Sequence, residues 1–129
     1  MTFNFATVLA VGTGGFVGAI ARFYVGIQVL RYFPHQLPLA TLAVNIIGSF
    51  TIGILIGLFL YFTPSDIVKG FLITGFLGAM TTYSTFAIES YMLLNSAFWY
   101  GILNIVLNVL GSILFAGIGY KLIIYILNK

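Results

Sequence analysis

Residues 70–86 read GFLITGFLGAMTTYSTF, an apolar run that gives way to a group of hydroxyl-bearing residues. Gly75 and Gly78 stand just before this group, and glycine, threonine and serine are poor or mediocre helix formers. The segment therefore predicts a helix that is interrupted near residues 78–82. This interruption decides the fold because the chain around it is almost entirely apolar.

Four long apolar runs make up the chain, and the interrupted segment belongs to the third. They cover roughly residues 5–30, 39–62, 67–94 and 97–127. A membrane-spanning helix needs about 20 predominantly apolar residues, so each run is long enough to cross a bilayer. All three prolines, Pro34, Pro38 and Pro64, lie between runs. The sequence predicts an all-α integral membrane protein in which residues 1–129 form a single four-helix domain, with the third helix broken near the midplane.

The composition excludes most soluble functions. Of the 129 residues, 61% are hydrophobic and 5% are charged, whereas a soluble domain typically carries about 25% charged residues. The net charge of +3 is spread along the chain, which does not indicate binding to nucleic acid. The chain has no cysteine and one histidine, and no nucleophile–base pair or metal cluster is visible. We therefore do not expect an enzyme.

The basic residues give little information on orientation. Four spans put both ends of the chain on one side of the membrane. Lys69, Lys121 and Lys129 fall on that side, against Arg31 and, if its side chain reaches the surface, Arg22. Loop Lys and Arg residues normally set the orientation, and here their bias is weak. Such a chain could insert in both directions, which would permit antiparallel dimers.

Three of the runs carry polar residues, which recur every four residues along one helical face in the second and fourth runs and form a denser group in the third. They are Thr41, Asn45 and Ser49 in the second, Asn104, Asn108 and Ser112 in the fourth, and residues 81–85 in the third. Such residues either join helices by hydrogen bonds or face a water-filled path. One stripe alone fits both interpretations about equally, but three together favour a pore or substrate path over a non-transporting scaffold. By this spacing Thr41, Asn108 and Ser112 are candidate pore residues.

The first run reads GTGGFVGAIAR over residues 12–22. Gly14 and Gly18 form a small-xxx-small pair, which predicts close contact with another helix. A nucleotide-binding loop would need a preceding strand and a lysine, which this segment lacks. We therefore interpret these glycines as packing residues.

Two ionisable residues lie within the predicted spans. Arg22, toward the end of the first, either extends to the headgroups or attracts anions into a vestibule. Glu89, in the third, is costly to bury without a partner, and Arg22, Lys121 or a backbone amide could supply one. A structural role for Glu89 is favoured over a proton relay.

Three runs, GGFVGAIAR (14–22), NIIGSF (45–50) and GFLGAMTTYSTF (75–86), resemble the Fluc (CrcB) fluoride channels of bacteria. The resemblance covers the full length, and the third run is the most specific. It implies an antiparallel, dual-topology homodimer with two pores in the bacterial plasma (inner) membrane. It also implies passive export of fluoride from the cytoplasm, which lowers toxic intracellular fluoride.

The resemblance implies roles for the pore residues. Asn45 would line the pore, and Tyr83 and Phe86 would match the two aromatic positions whose rings face the ion. Ser84 and Thr85 match the polar residues of the same segment. The first aromatic position is usually Phe, so the hydroxyl of Tyr83 is an addition. It could donate to fluoride or bond to the second or fourth helix.

The resemblance also implies a structural Na⁺ at the centre of the dimer. The backbone carbonyls of Gly78 and Thr81 match the positions that bind it. Glu89 matches a membrane-embedded glutamate of the third helix.

These residue types suit a small, strongly hydrated anion. A pore must replace the water around fluoride with other donors, and side-chain amides and hydroxyls can donate. Aromatic rings present a positive edge without a fixed charge. Weak, neutral contacts matter because an ion that is held too tightly does not leave.

The main alternative is a small four-helix proton-coupled multidrug or cation exporter, which can also insert in both directions. Such exporters carry an essential glutamate in the first helix. Here the first run has no acidic residue, and the one glutamate of the chain, Glu89, lies in the third.

Overall fold

The computed structural model describes residues 3–129, and every regular element in that range is a helix. The first span is α1 (Phe5–Tyr32), the second is α2 (Leu39–Leu58) and the fourth is α6 (Phe98–Leu127). The third span, Asp66–Ser96, is divided. Its segments are α3 (Asp66–Lys69), a π-helix (Gly70–Leu77), α4 (Gly78–Met80) and α5 (Tyr83–Ser96). All four spans are long and apolar enough to cross a membrane, as the sequence predicts.

Local sequence signals set the ends of the spans. Asn4 caps α1, since its side chain accepts a hydrogen bond from the Thr7 N–H (2.9 Å) and the Thr7 hydroxyl accepts one from the Asn4 N–H (3.1 Å). α2 begins directly after Pro38 and ends at Leu58, short of the predicted residue 62. Ala97 alone separates α5 from α6, so these helices form a tight hairpin and pack against each other.

Glycines bring α1 and the π-helix into backbone contact. A Cβ on Gly14 would overlap the backbone carbonyl of Phe71, and one on Gly18 would overlap that of Phe76. Gly75, on the π-helix, faces the backbone of α1 in the same way. The predicted close contact of Gly14 and Gly18 is therefore confirmed, and its partner is the first half of the third span.

A second glycine-lined contact joins α2 to α6. A Cβ on Gly53 would overlap the carbonyl of Ala116, and one on Gly119 would overlap the carbonyl of Phe50. In lipid there is little hydrophobic drive between helices, so small residues that allow close approach are a main source of packing energy. The bundle thus rests on two tightly packed pairs, α1 with the π-helix and α2 with α6.

The π-helix is a feature that the sequence did not indicate. It extends over Gly70–Leu77 and joins α4 without a turn between them. π-helical turns are usually single and often occur beside functional sites. It lies immediately before the interruption, so the residues that follow it are candidates for the functional site.

The outer surface is apolar, and the enclosed core is small. Phe16, Phe23, Ile113 and Leu114 are among many large side chains left exposed, whereas Val44 and Asn104 are the most enclosed. An apolar surface of this extent is unusual for a soluble monomer and is the natural surface of a protein in a bilayer.

Replacing Gly18 with alanine tests the α1 contact. Gly18→Ala is expected to destabilise the protein by about 1–3 kcal/mol, because the added methyl group must displace the backbone of Phe76. Gly26→Ala, on the same helix, is the matched control, since nothing lies within 4 Å of a Cβ at that position. The measurement is the free energy of unfolding in detergent micelles. Equal values for the two variants would contradict the packing of α1 on the π-helix.

Candidate functional site

The third span is interrupted at Thr81 and Thr82. Both residues are extended, with φ, ψ of −81°, 158° at Thr81 and −148°, 106° at Thr82. β-Branched residues accept extended backbone readily, and the Thr82 hydroxyl starts the next helix by accepting a hydrogen bond from the Thr85 N–H (3.3 Å). The break lies at the middle of Asp66–Ser96. The predicted interruption near residues 78–82 is confirmed.

The break leaves backbone carbonyls without helical partners. The Thr81 N–H still donates to the Leu77 carbonyl (3.0 Å). Among residues 3–129, no backbone hydrogen bond outside the helices ends on the carbonyls of residues 78–81. Such oxygens are tolerated at this depth where they line a cavity or bind an ion. They include the two predicted carbonyl ligands, Gly78, which is exposed, and Thr81, which is half-buried.

The Asn45 side chain from α2 clamps the peptide at the break. Its Oδ1 accepts a hydrogen bond from the Thr82 N–H (2.9 Å), and its Nδ2 donates to the Thr82 carbonyl (3.3 Å). One carboxamide thus supplies the acceptor that the Thr82 N–H loses by leaving the helix, and it also donates to the Thr82 carbonyl. Nearby, the Thr81 methyl group fills the space where a Cβ of Gly48 would stand, so α2 lies directly against the break.

A buried chain of amides extends from this clamp. Asn45 Nδ2 also donates to Asn108 Oδ1 (3.0 Å), Asn108 Nδ2 donates to Asn104 Oδ1 (3.0 Å), and Asn104 Nδ2 donates to Ser90 Oγ (2.9 Å). Sequence reasoning placed Asn104 in a stripe but not in the site, and it did not single out Ser90. The i, i+4 spacing of Asn104 and Asn108 was a usable signal. A lone serine in an apolar helix gave none.

An open cavity of about 510 Å³ lies beside the break. Its polar and aromatic lining residues are Asn45, Ser49, Thr81, Thr82, Tyr83, Phe86, Asn108 and Ser112, and Gly78 also borders it. No lining residue is charged. Within residues 3–129, no hydrogen bond occupies the hydroxyls of Ser49, Tyr83 or Ser112, so these groups are free to act as donors.

Two aromatic rings stand at the start of α5 on this cavity. Tyr83 and Phe86 meet edge to face, with centroids 5.5 Å apart and an interplanar angle of 65°. Phe86 is buried, whereas Tyr83 is 79% exposed. Because the ring edge is positive, this pair can present weak positive potential to an anion.

Other predicted residues lie away from the cavity. Ser84 and Thr85 are exposed on α5, and Arg22 is half-buried on α1 without an ion pair to any described residue. Thr41 donates from its hydroxyl to Glu89 Oε1 (2.9 Å). Glu89 therefore has a partner, as expected, but this partner is the Thr41 hydroxyl and none of the suggested groups, Arg22, Lys121 or a backbone amide.

The second oxygen of Glu89 is not satisfied within the described chain. Oε2 is buried and has no hydrogen-bond partner among residues 3–129. The pair with Thr41 lies one helical turn from Asn45 along α2, so a carboxyl group stands close to the break without facing the cavity.

Comparison with known proteins finds relatives that match almost the whole chain. The chain is 52% identical over 122 residues to the fluoride-specific ion channel FluC of Sulfurimonas denitrificans, covering 93% of this chain and 95% of that protein. It is 46% identical to the protein of the same name from Nautilia profundicola, with 92% and 94% covered. A Campylobacter jejuni protein of that name is 44% identical, with 88% and 94% covered. Residues 9–120 match the family model described as CrcB-like protein, camphor resistance. The chain therefore belongs to the CrcB family.

Proposed function

We propose that this chain is the subunit of a fluoride-selective channel. It exports fluoride passively from the cytoplasm across the bacterial inner membrane and so lowers toxic intracellular fluoride. Relatives that are 44–52% identical over most of their length carry the name fluoride-specific ion channel. The observation that carries the proposal is the broken third span, which opens a cavity with neutral donors in the middle of a membrane protein.

The cavity supplies what a dehydrated fluoride ion needs. The free hydroxyls of Ser49 and Ser112 replace water as donors, and the edges of the Tyr83 and Phe86 rings add positive potential without a fixed charge. Since no charged side chain lines the cavity, binding remains weak enough for the ion to leave. The Tyr83 hydroxyl is free to donate as well, which would slow the passage of the ion at that ring.

Residues outside the cavity extend the path. Ser84 and Thr85 continue the polar face of α5, and Thr41 continues that of α2 toward Glu89. Asn45 and Asn108 form the wall at the break. Arg22, a cation without a partner in the described chain, attracts anions into the vestibule by its charge.

A second copy of the chain completes the channel in this proposal. Tyr83, which is 79% exposed, and Ser84 present hydroxyl groups at the level of the break, where lipid offers no hydrogen bonds. The weak charge bias of the loops permits both insertion directions. An antiparallel, dual-topology homodimer would cover these groups and enclose two pores.

The free carbonyls at the break fit a structural sodium ion at the centre of that dimer. Neutral carbonyl oxygens at the ends of broken membrane helices are the usual ligands for such an ion, and Gly78 and Thr81 would supply them. Sodium bound there would raise the local potential for anions. The ion would also satisfy carbonyls that no backbone N–H reaches.

The exporter alternative is not favoured. α1 carries no acidic residue, and Glu89 lies on α5, bonded to Thr41. The named relatives are channels.

Flux through liposomes tests the proposal directly. Purified protein is expected to release fluoride from loaded liposomes down its gradient and to retain chloride, because the free hydroxyls and positive ring edges of an uncharged cavity suit a small, strongly hydrated anion. A fluoride electrode follows the release, and protein-free liposomes are the control. Chloride flux equal to or above that of fluoride would overturn the assignment. An absolute need for a proton gradient would instead support the exporter.

Substitution at Phe86 tests the ring pair. Phe86→Ile is expected to reduce fluoride flux about tenfold or more, which corresponds to about 1.4 kcal/mol in the barrier, because isoleucine offers no positive ring edge. Phe62→Ile, at an exposed position outside the helices, is the control and should conduct normally. Elution on size exclusion shows whether assembly is kept. An unchanged rate would remove Phe86 from the pore.

Removal of sodium tests the carbonyl site. Replacing Na⁺ with a large organic cation throughout purification and assay is expected to abolish most of the flux, since the carbonyls of Gly78 and Thr81 would lose the ion that they bind. Adding Na⁺ back should restore it. Full conduction under rigorous exclusion of Na⁺ would eliminate the ion from the proposal while leaving the channel itself intact.

A further inference from the structure

The Asn45 carboxamide has no donor left for an ion. Its two N–H groups are directed to the Thr82 carbonyl and to Asn108 Oδ1, and its oxygen accepts from the Thr82 N–H. A primary amide has only two donors. Although Asn45 borders the cavity, its polar atoms serve the backbone at the break.

The orientation of this carboxamide is fixed by a chain of hydrogen bonds that all point one way. Starting at the Thr82 N–H, each group donates to the next through Asn45, Asn108 and Asn104 to the Ser90 oxygen. If Asn45 or Asn108 flipped alone, its oxygen would face another oxygen and its nitrogen another N–H donor, and a flipped Asn104 would turn its nitrogen toward the Asn108 nitrogen. Hydrogen bonds in such a chain also polarise and strengthen one another. Each amide therefore determines the direction of its neighbour.

The far end of the chain is sealed from the cavity. Asn104 is 1% exposed and does not line the cavity. The described partners of its side chain are Asn108 and Ser90. Asn108 borders the cavity, but its Nδ2 is committed to the Asn104 carbonyl and side-chain oxygens. Asn108 therefore has no donor free for an anion, and Asn104, which donates to Ser90, is kept from any anion in the cavity by its burial.

We propose that Asn104 and Asn108 are positioning residues for conduction. Through the Asn45 carboxamide they hold the Thr82 peptide, and this peptide sets the direction of the free carbonyls before it and of the Tyr83 ring after it. Asn45 acts as a splint for the break rather than as a ligand of the ion. The proposal rests on the proposed channel function only for its flux readout.

Asn104→Leu tests the far end of the chain. The substitution removes the donor to Ser90 and the acceptor for Asn108 without touching the cavity. We expect fluoride flux in liposomes to fall roughly tenfold, because small misplacements of a binding site are costly. Hydrogen–deuterium exchange of a peptide covering residues 78–86 should become faster, since the Thr82 N–H is less firmly held. Asn95→Leu is the matched control, because Asn95 is exposed and its amide bonds only within its own helix, to the Tyr91 carbonyl.

A second variant guards against misfolding. Asn104→Leu leaves Ser90 without its donor, and an unsatisfied buried group is costly. Combining it with Ser90→Ala removes both partners together, which is usually milder. This double variant should assemble as the wild type does and show the same reduced flux and faster exchange.

A double-mutant cycle with Asn45 separates positioning from general destabilisation. Once Asn45→Ala has broken the chain, adding Asn104→Leu should change neither flux nor exchange further, because Asn104 acts only through Asn45. Losses that multiply, or an Asn104 variant that matches Asn95→Leu in both readouts, would overturn the proposal. If the wild type carries no fluoride, the proposed function fails, and the exchange cycle still decides the role of Asn104.

Discussion

Leaving the helix in the middle of a membrane span requires a new partner for each backbone group released, and this constraint organises the molecule. In hydrocarbon each unsatisfied backbone group costs several kcal/mol. At Thr82 one side chain, Asn45, meets both needs by accepting from the N–H and donating to the carbonyl. The clamp works only if α2 touches the break, and Gly48 permits this because the Thr81 methyl group occupies the place of its missing Cβ.

The two glycine-lined helix pairs give this clamp a rigid frame. The first half of the broken span, the π-helix, is packed on α1, and the second half, α5, is packed on α6. α2 is in turn packed on α6 through Gly53 and Gly119. The two halves of the third span therefore pack on different helices, the half before the break on α1 and the half after it on α6. The Asn45–Asn108 hydrogen bond of 3.0 Å joins α2 to α6 at that level. Local weakness in the third span is compensated by contacts that the other spans supply.

The sequence predicts the four spans, the break and one close helix contact, and it fails to predict other features for physical reasons. Weak helix formers in an apolar run located the break, and the spacing of Gly14 and Gly18 located a close contact. Propensities do not separate π from α turns, so the π-helix was invisible. Helical spacing gives the face of a residue but not its partner. Hence one stripe on α6 contains both Asn104, which joins helices, and Ser112, which lines the cavity. Glu89 was expected to bind Arg22, Lys121 or a backbone amide, but the sequence does not show which side chain of another helix lies nearest, and its partner is the Thr41 hydroxyl.

The charged side chains of the spans lie outside the cavity. Glu89 is bonded to Thr41, one turn of α2 from Asn45, and it does not border the cavity, while Arg22 lies on α1. Apart from apolar side chains, the cavity is lined by hydroxyls, amides, carbonyls and ring edges, none of which carries a fixed charge. For the proposed passage of fluoride this neutrality is necessary, because a fixed cation in the wall would bind the ion and stop it, whereas several weak contacts let it move on. The amides at the break, being saturated by one another, cannot bind the ion strongly either. The N–H groups of Asn45 and Asn108 are bonded within the protein, so the free donors of the wall are single hydroxyls. Such a wall binds an anion only weakly at each point, which is what conduction needs.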